Sequence, residues 1–62
     1  MLNNIKKYRE KLNLTQKETA QRLGVAPQVF QRYEYGQQLP NVKIAIALAV
    51  ILKTSVEELF NS

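Results

Sequence analysis

The sequence predicts an all-α domain of five short helices. Three observations carry that reading. Apolar residues recur at helical spacing near the N-terminus and again in the fourth segment. Residues 15–18 and 55–58 each have the pattern of a capping box. Gly24, Pro27 and Gly36 fall where helices would end and begin.

The first helix is expected over residues 2–12, because Leu2, Ile5, Tyr8, Arg9 and Leu12 share one face. Asn13 and Leu14 break that pattern. Thr15 then opens a second helix over 16–23. Its hydroxyl caps the helix while Glu18 reaches back to the Thr15 amide. Gly24 ends the helix, since glycine enters the left-handed region cheaply. Pro27 suits the first position of a third helix over 27–35. That leaves Ala26 as N-cap, where Ser, Thr, Asp or Asn would do better by about 1 kcal/mol. Gly36 stops the third helix, and residues 37–40 form a loop.

Asn41 is placed to cap a fourth helix over 42–53. Within it Ile44, Ile46, Leu48 and Val50 alternate with Ala, as a strand might. Ala is a strong helix former and a poor strand former, so helix is the reading. Ser55 and Glu58 open a short fifth helix that ends near Phe60. There is no internal repeat, linker or low-complexity tract, so residues 1–62 read as one domain.

Composition narrows the function. The 62 residues include no Cys and no His, which removes thiolate and imidazole ligands; no metal and no cofactor is expected. There is no Asp, and the five acidic residues are scattered glutamates. No nucleophile, base and orienting group can be assembled, so no enzyme is expected. A chain this short has a small core, so close helix packing or self-association must supply stability. The opening residues do not read as a leader. The longest apolar run, 44–52, is far short of the roughly 20 residues a membrane span needs. A soluble, cytoplasmic protein without a membrane partner is therefore expected. Nine basic against five acidic residues give a net charge of +4, which favours an anionic partner. Glu57 and Glu58 lie near the C-terminus, so the rest of the chain is more basic still.

Two short helices joined by a glycine turn suggest a helix-turn-helix. Its steric needs are met residue by residue. Ala20 is small where the two helices cross. Leu23, Val25, Phe30 and Tyr33 supply an apolar inner face. Gln16, Lys17, Gln28, Gln31 and Arg32 supply a polar outer one. The misfit is Thr19, where a larger aliphatic side chain would pack better.

At these residues the chain resembles the phage-repressor-like (Cro/repressor type, XRE) family. Residues 14–26, LTQKETAQRLGVA, resemble its pattern LTQ..LA..LGV, and residues 30–36, FQRYEYG, resemble I.RYE.G. Leu39 with Pro40, and residues 55–60, match later landmarks. The likeness covers residues 4–60. It implies the lambda-repressor-like fold and a sequence-specific double-stranded DNA-binding transcriptional regulator, a repressor that reads a near-palindromic operator as a homodimer on the nucleoid.

Position by position, the resemblance implies that Pro27, Gln28, Val29 and Arg32 face base edges in the major groove. Gln28 suits adenine, Arg32 suits guanine or a phosphate, and Val29 suits a thymine methyl. The DNA backbone would be met by Thr15, Gln16, Lys17, Gln31, Gln37, Gln38, Asn41 and Lys43. Three positions depart from the family: Pro27 and Ala26 lack usual polar groups, and Tyr35 stands where a basic residue or Asn is common. Arg9 and Glu34 match residues that form a largely buried ion pair between the first and third helices.

The fourth helix is apolar nearly all round, which calls for cover on more than one side. Ile44, Leu48, Ile51 and Leu52 are expected to face the core, leaving Ile46 and Val50 elsewhere. The second cover is the fifth helix, with Leu59 and Phe60, or another protomer; the resemblance implies dimer contacts through Leu39, Pro40 and the C-terminal helices. The alternative function is an antitoxin-type or interaction module that uses the same fold to bind a protein partner.

Overall fold

A computed structural model describes residues 3–61. Among these, five helices follow one another: α1 Ile5–Lys11, α2 Gln16–Leu23, α3 Pro27–Glu34, α4 Val42–Ile51 and α5 Val56–Phe60. No strand occurs among the described residues. No helix is long and apolar enough to cross a membrane.

The starts of the helices follow the capping chemistry of the sequence. At α2 the Thr15 hydroxyl accepts from the Glu18 amide at 3.0 Å, and the Glu18 carboxylate accepts from the Thr15 amide at 2.9 Å. At α4 the Asn41 side chain accepts from the Ile44 amide at 2.8 Å. At α3 Ala26 makes no side-chain cap and Pro27 holds the first helical position. The second capping box is only half formed. The Ser55 hydroxyl accepts from the Glu58 amide at 3.0 Å, but the Glu58 carboxylate turns away to accept from the Tyr8 hydroxyl at 3.3 Å. A tie between α5 and α1 replaces the local one.

Helix α1 begins at Ile5, later than its periodicity suggested; Leu2 lies outside the described residues. Asn3 and Asn4 explain the late start. The Asn3 carboxamide accepts from the Ile5 amide at 3.0 Å and donates to the Tyr33 carbonyl at 2.9 Å. The Asn4 carboxamide donates to the carbonyls of Glu58 and Asn61. These side chains tie the N-terminal segment to α3 and α5 instead of extending the helix.

Four helices end in one way, with a residue at positive φ followed by paired backbone bonds back into the last turn. These residues are Asn13, Gly24, Gly36 and Lys53. After α4, Thr54 N–H donates to Ala49 O at 2.9 Å and Lys53 N–H to Val50 O at 3.2 Å. The helix thus stops at Ile51 rather than near Lys53. The stop was hidden in the sequence because a lysine, not a glycine, takes the left-handed place.

Every helix gives side chains to one core. Ile5, Ala20, Leu23, Phe30, Tyr33, Leu48, Ala49 and Leu59 are buried together, with Leu14 and Leu52 from the connections. α2 packs on α3 and α4, while α1 and α5 pack on each other. Thr19 is fully buried, and its hydroxyl donates to the Thr15 carbonyl at 2.9 Å. The position that looked like a misfit is a satisfied polar group inside the α2 turn. Among the described residues, no buried side-chain nitrogen or oxygen lacks a partner.

Candidate nucleic-acid interface

The candidate interface is built on α2 and α3. Phe30 and Tyr33 point into the core, which turns Gln28 and Arg32 outward, one helical turn apart. Tyr35 extends the same exposed stripe. Pro27 is exposed at the start of α3. Val29 is half-buried and packs against the core, so only part of its side chain faces out.

Thr15 and Lys17 are exposed at the start of α2, and Gln16 sits between them half-buried. Past α3, the side chains of Gln37, Gln38, Asn41 and Lys43 are all exposed. The backbone N–H groups of Gln37 and Gln38 both donate to the Arg32 carbonyl, at 2.8 and 3.2 Å. Their backbone donors are thus spent, and their side chains supply the donors left for an anionic ligand. The Asn41 oxygen is engaged as the α4 cap.

Beneath this surface lies a polar chain. Arg9 Nε donates to Glu34 Oε1 at 2.7 Å, and Arg9 Nη1 donates to the Leu14 carbonyl at 2.7 Å. Both side chains are nearly closed to solvent, at 10% and 2% exposure. Glu34 Oε2 accepts from Gln16 Nε2 at 2.6 Å. Gln16 Oε1 in turn accepts from Gln31 Nε2 at 3.2 Å, and Gln16 Nε2 also donates to the Tyr35 hydroxyl at 3.4 Å. The sequence pairs Arg9 with Glu34. The resemblance also implies that Gln16 braces the third helix, but neither it nor the sequence reveals that Gln16 does so through Glu34, Gln31 and Tyr35. The one available signal was the i, i+3, i+4 spacing of Gln31, Glu34 and Tyr35, which sets three polar groups on one flank of α3.

Electrostatics at the start of α2 are equally local. The Thr15 backbone amide, helped by the Thr15 side chain and then by Arg22, holds the Glu18 carboxyl below its ordinary pKa. The ionised carboxylate also sits at the positive end of the helix dipole.

A second surface lies on α4 and α5. Leu39, Pro40, Val42, Ala45, Ile46, Val56 and Phe60 line an open groove of about 470 Å³. Leu39, Val42 and Ile46 are each more than half exposed, as is Val50 further along α4. Leu48 and Leu52 are buried and Ile44 and Ile51 half-buried, so α4 divides its apolar surface between the core and this face.

An eight-residue helix, a left-handed glycine and a second eight-residue helix with an outward polar stripe define a helix-turn-helix domain. This class of fold docks its second helix in the major groove of DNA. A family model described as Helix-turn-helix matches residues 5–59, and the chain belongs to that family. An uncharacterized HTH-type transcriptional regulator of Methanocaldococcus jannaschii is 37% identical over 60 residues, covering 97% of this chain and 91% of the relative. One of Archaeoglobus fulgidus is 35% identical over 60 residues, covering 97% and 84%. One of Bacillus subtilis is 36% identical over 56 residues, covering 90% of this chain and 48% of its own length.

Proposed function

We propose that the protein is a sequence-specific repressor that binds a near-palindromic operator in double-stranded DNA as a homodimer in the cytoplasm, on the nucleoid. The observation that carries the reading is the exposed polar stripe of α3 beside the polar start of α2. In this reading Gln28 and Arg32 read base edges, with Pro27 and the outer part of Val29 against the groove floor. Thr15, Gln16 and Lys17 anchor one stretch of phosphates, with Gln31 beside them. Gln37, Gln38, Asn41 and Lys43 anchor another. Repression follows from occlusion of a promoter.

Two arguments support the dimer. The domain is 23 Å along its longest axis, whereas successive major grooves on one face of DNA are about 34–36 Å apart. One copy cannot span that distance; two copies side by side can. The groove of Leu39, Pro40, Ile46, Val56 and Phe60 is apolar and open, and a two-fold axis through it covers the same patch on both copies. The same groove is what a protein-binding module would use, and a folded protein that ignores DNA would favour that second reading.

The test is selection from a random duplex library at moderate salt. Enrichment of an inverted repeat with half-sites about one helical turn apart supports operator, stripe and dimer together. No enrichment from folded protein overturns the proposal.

A further inference from the structure

We propose that Gln31 is a positioning residue for the DNA-backbone contact of Gln16, acting through the Gln16 carboxamide rather than touching DNA itself. The inference rests on the reading that Gln16 meets a phosphate.

The geometry fixes the Gln16 amide from both ends. Its Nε2 donates to Glu34 Oε2 at 2.6 Å, and a flipped amide would set its oxygen against a carboxylate. Its Oε1 therefore faces Gln31, whose Nε2 donates to it at 3.2 Å. Glu34 is itself fixed by Arg9, whose Nε donates to Glu34 Oε1 at 2.7 Å and whose Nη2 lies 3.4 Å from Glu34 Oε2. An ordered chain thus runs from a buried ion pair to the first residue of α2, with Gln31 closing it from α3.

An amide nitrogen carries two hydrogens: one goes to Glu34, and the other donates to the exposed Tyr35 hydroxyl at 3.4 Å, a long bond that a phosphate oxygen can replace. With the amide plane held at both ends, that donor has one direction and loses little rotational freedom when it meets a phosphate oxygen. Remove Gln31 and the amide is held at one end only. The same link ties phosphate anchoring on α2 to the helix that carries Gln28 and Arg32. Gln31 is half-buried and its Nε2 is turned to Gln16 Oε1, so its amide faces Gln16 with one hydrogen left over, and a double-mutant cycle separates the two roles.

The experiment is a double-mutant cycle of Gln16→Ala and Gln31→Met, read as affinity for the best-enriched duplex of the random library. Gln31→Met keeps length and charge and removes the amide; Gln31→Ala serves as a second variant. Melting temperature is measured for each, together with NMR order parameters of the Gln16 side-chain amide in the DNA-free protein. The proposal expects Gln31→Met to weaken binding about five- to tenfold, the scale of one lost hydrogen bond, at an unchanged melting temperature. It expects no further loss in the Gln16→Ala background and a lowered Gln16 order parameter in the free protein. An equal loss in both backgrounds means that Gln31 touches DNA directly and overturns the proposal. Wild-type affinity in Gln31→Met overturns it too, while leaving DNA binding intact. If no duplex is enriched by folded wild-type protein, the DNA-binding reading fails and this inference falls with it.

Discussion

Glu34 accepts from Arg9 and from Gln16, so one carboxylate serves both the fold and the proposed DNA face. Truncating it leaves the Arg9 guanidinium nearly buried without its counter-charge. Glu34→Ala should cost about 3–5 kcal/mol in urea denaturation, the range for breaking one partner of a buried pair. A domain of this size has about 3–9 kcal/mol of stability in all, so the loss takes about a third of it or more and the variant should unfold at much lower urea than wild type. The apolar double change Arg9→Met with Glu34→Leu should recover much of the loss. It should not recover all of it, because the Leu14 carbonyl loses the donor that Arg9 Nη1 supplies. Glu18 gives a prediction of opposite visibility, at an exposed site. Its folded pKa is depressed, chiefly by the Thr15 amide. Its contribution is therefore fully present above the ordinary carboxylate pKa and lost as pH falls through the lowered value. Glu18→Gln should melt below wild type at neutral pH, and the two melting curves should converge in acid. A gap that stays constant with pH would show that the carboxylate charge plays no part.

At the scale of elements, the helix ends separate what the sequence reveals from what it hides. Thr15, Asn41, Pro27, Gly24 and Gly36 announce their roles because each residue type has a conformational or hydrogen-bonding reason to be there. The α2–α3 unit was legible for that reason, to the residue at both ends of α2. Lys53 was not, since nothing about lysine signals the left-handed region. The Glu58 tie to Tyr8 was hidden as well: a capping box is a local pattern, and its partner here lies on a helix far away in sequence. The polar chain under the interface is long-range in the same sense, joining Arg9, Gln16, Gln31 and Glu34 from three helices. Lys53 at φ 56° carries the cost of the left-handed region, about 1–2 kcal/mol for an ordinary residue. Lys53→Gly should therefore raise the melting temperature by roughly 4–8 °C per kcal/mol regained, less what glycine loses in chain entropy. Gly24→Ala should move it the other way by a similar amount. A Cβ at Gly24 meets nothing within 4 Å, so its cost comes from φ 80° alone. An unchanged melting temperature in both variants would show that these turns relax freely.

At the scale of the whole molecule, the proposed DNA face and the apolar groove should be separable, because they are built on different helices. Gln28, Arg32 and Gln16 belong to α2 and α3; Ile46, Val42, Val56 and Phe60 belong to α4 and α5. Val42 and Ile46 are both more than half exposed, so exchanging them for Gln should leave folding nearly untouched while removing apolar surface from the groove. Neither change alters charge. If the groove joins two copies, Val42→Gln with Ile46→Gln should shift sedimentation equilibrium from dimer to monomer at a melting temperature corrected for the lost association. Salt then supplies an independent reading on DNA. A protomer that neutralises about four phosphates gives a slope of log K against log[salt] of about −7 for the dimer and about half that for the monomer. The double variant should therefore bind more weakly and also less steeply in salt, on an otherwise identical duplex. Loss of affinity with the full slope retained would mean that both copies still bind together, and that the groove serves something other than the dimer.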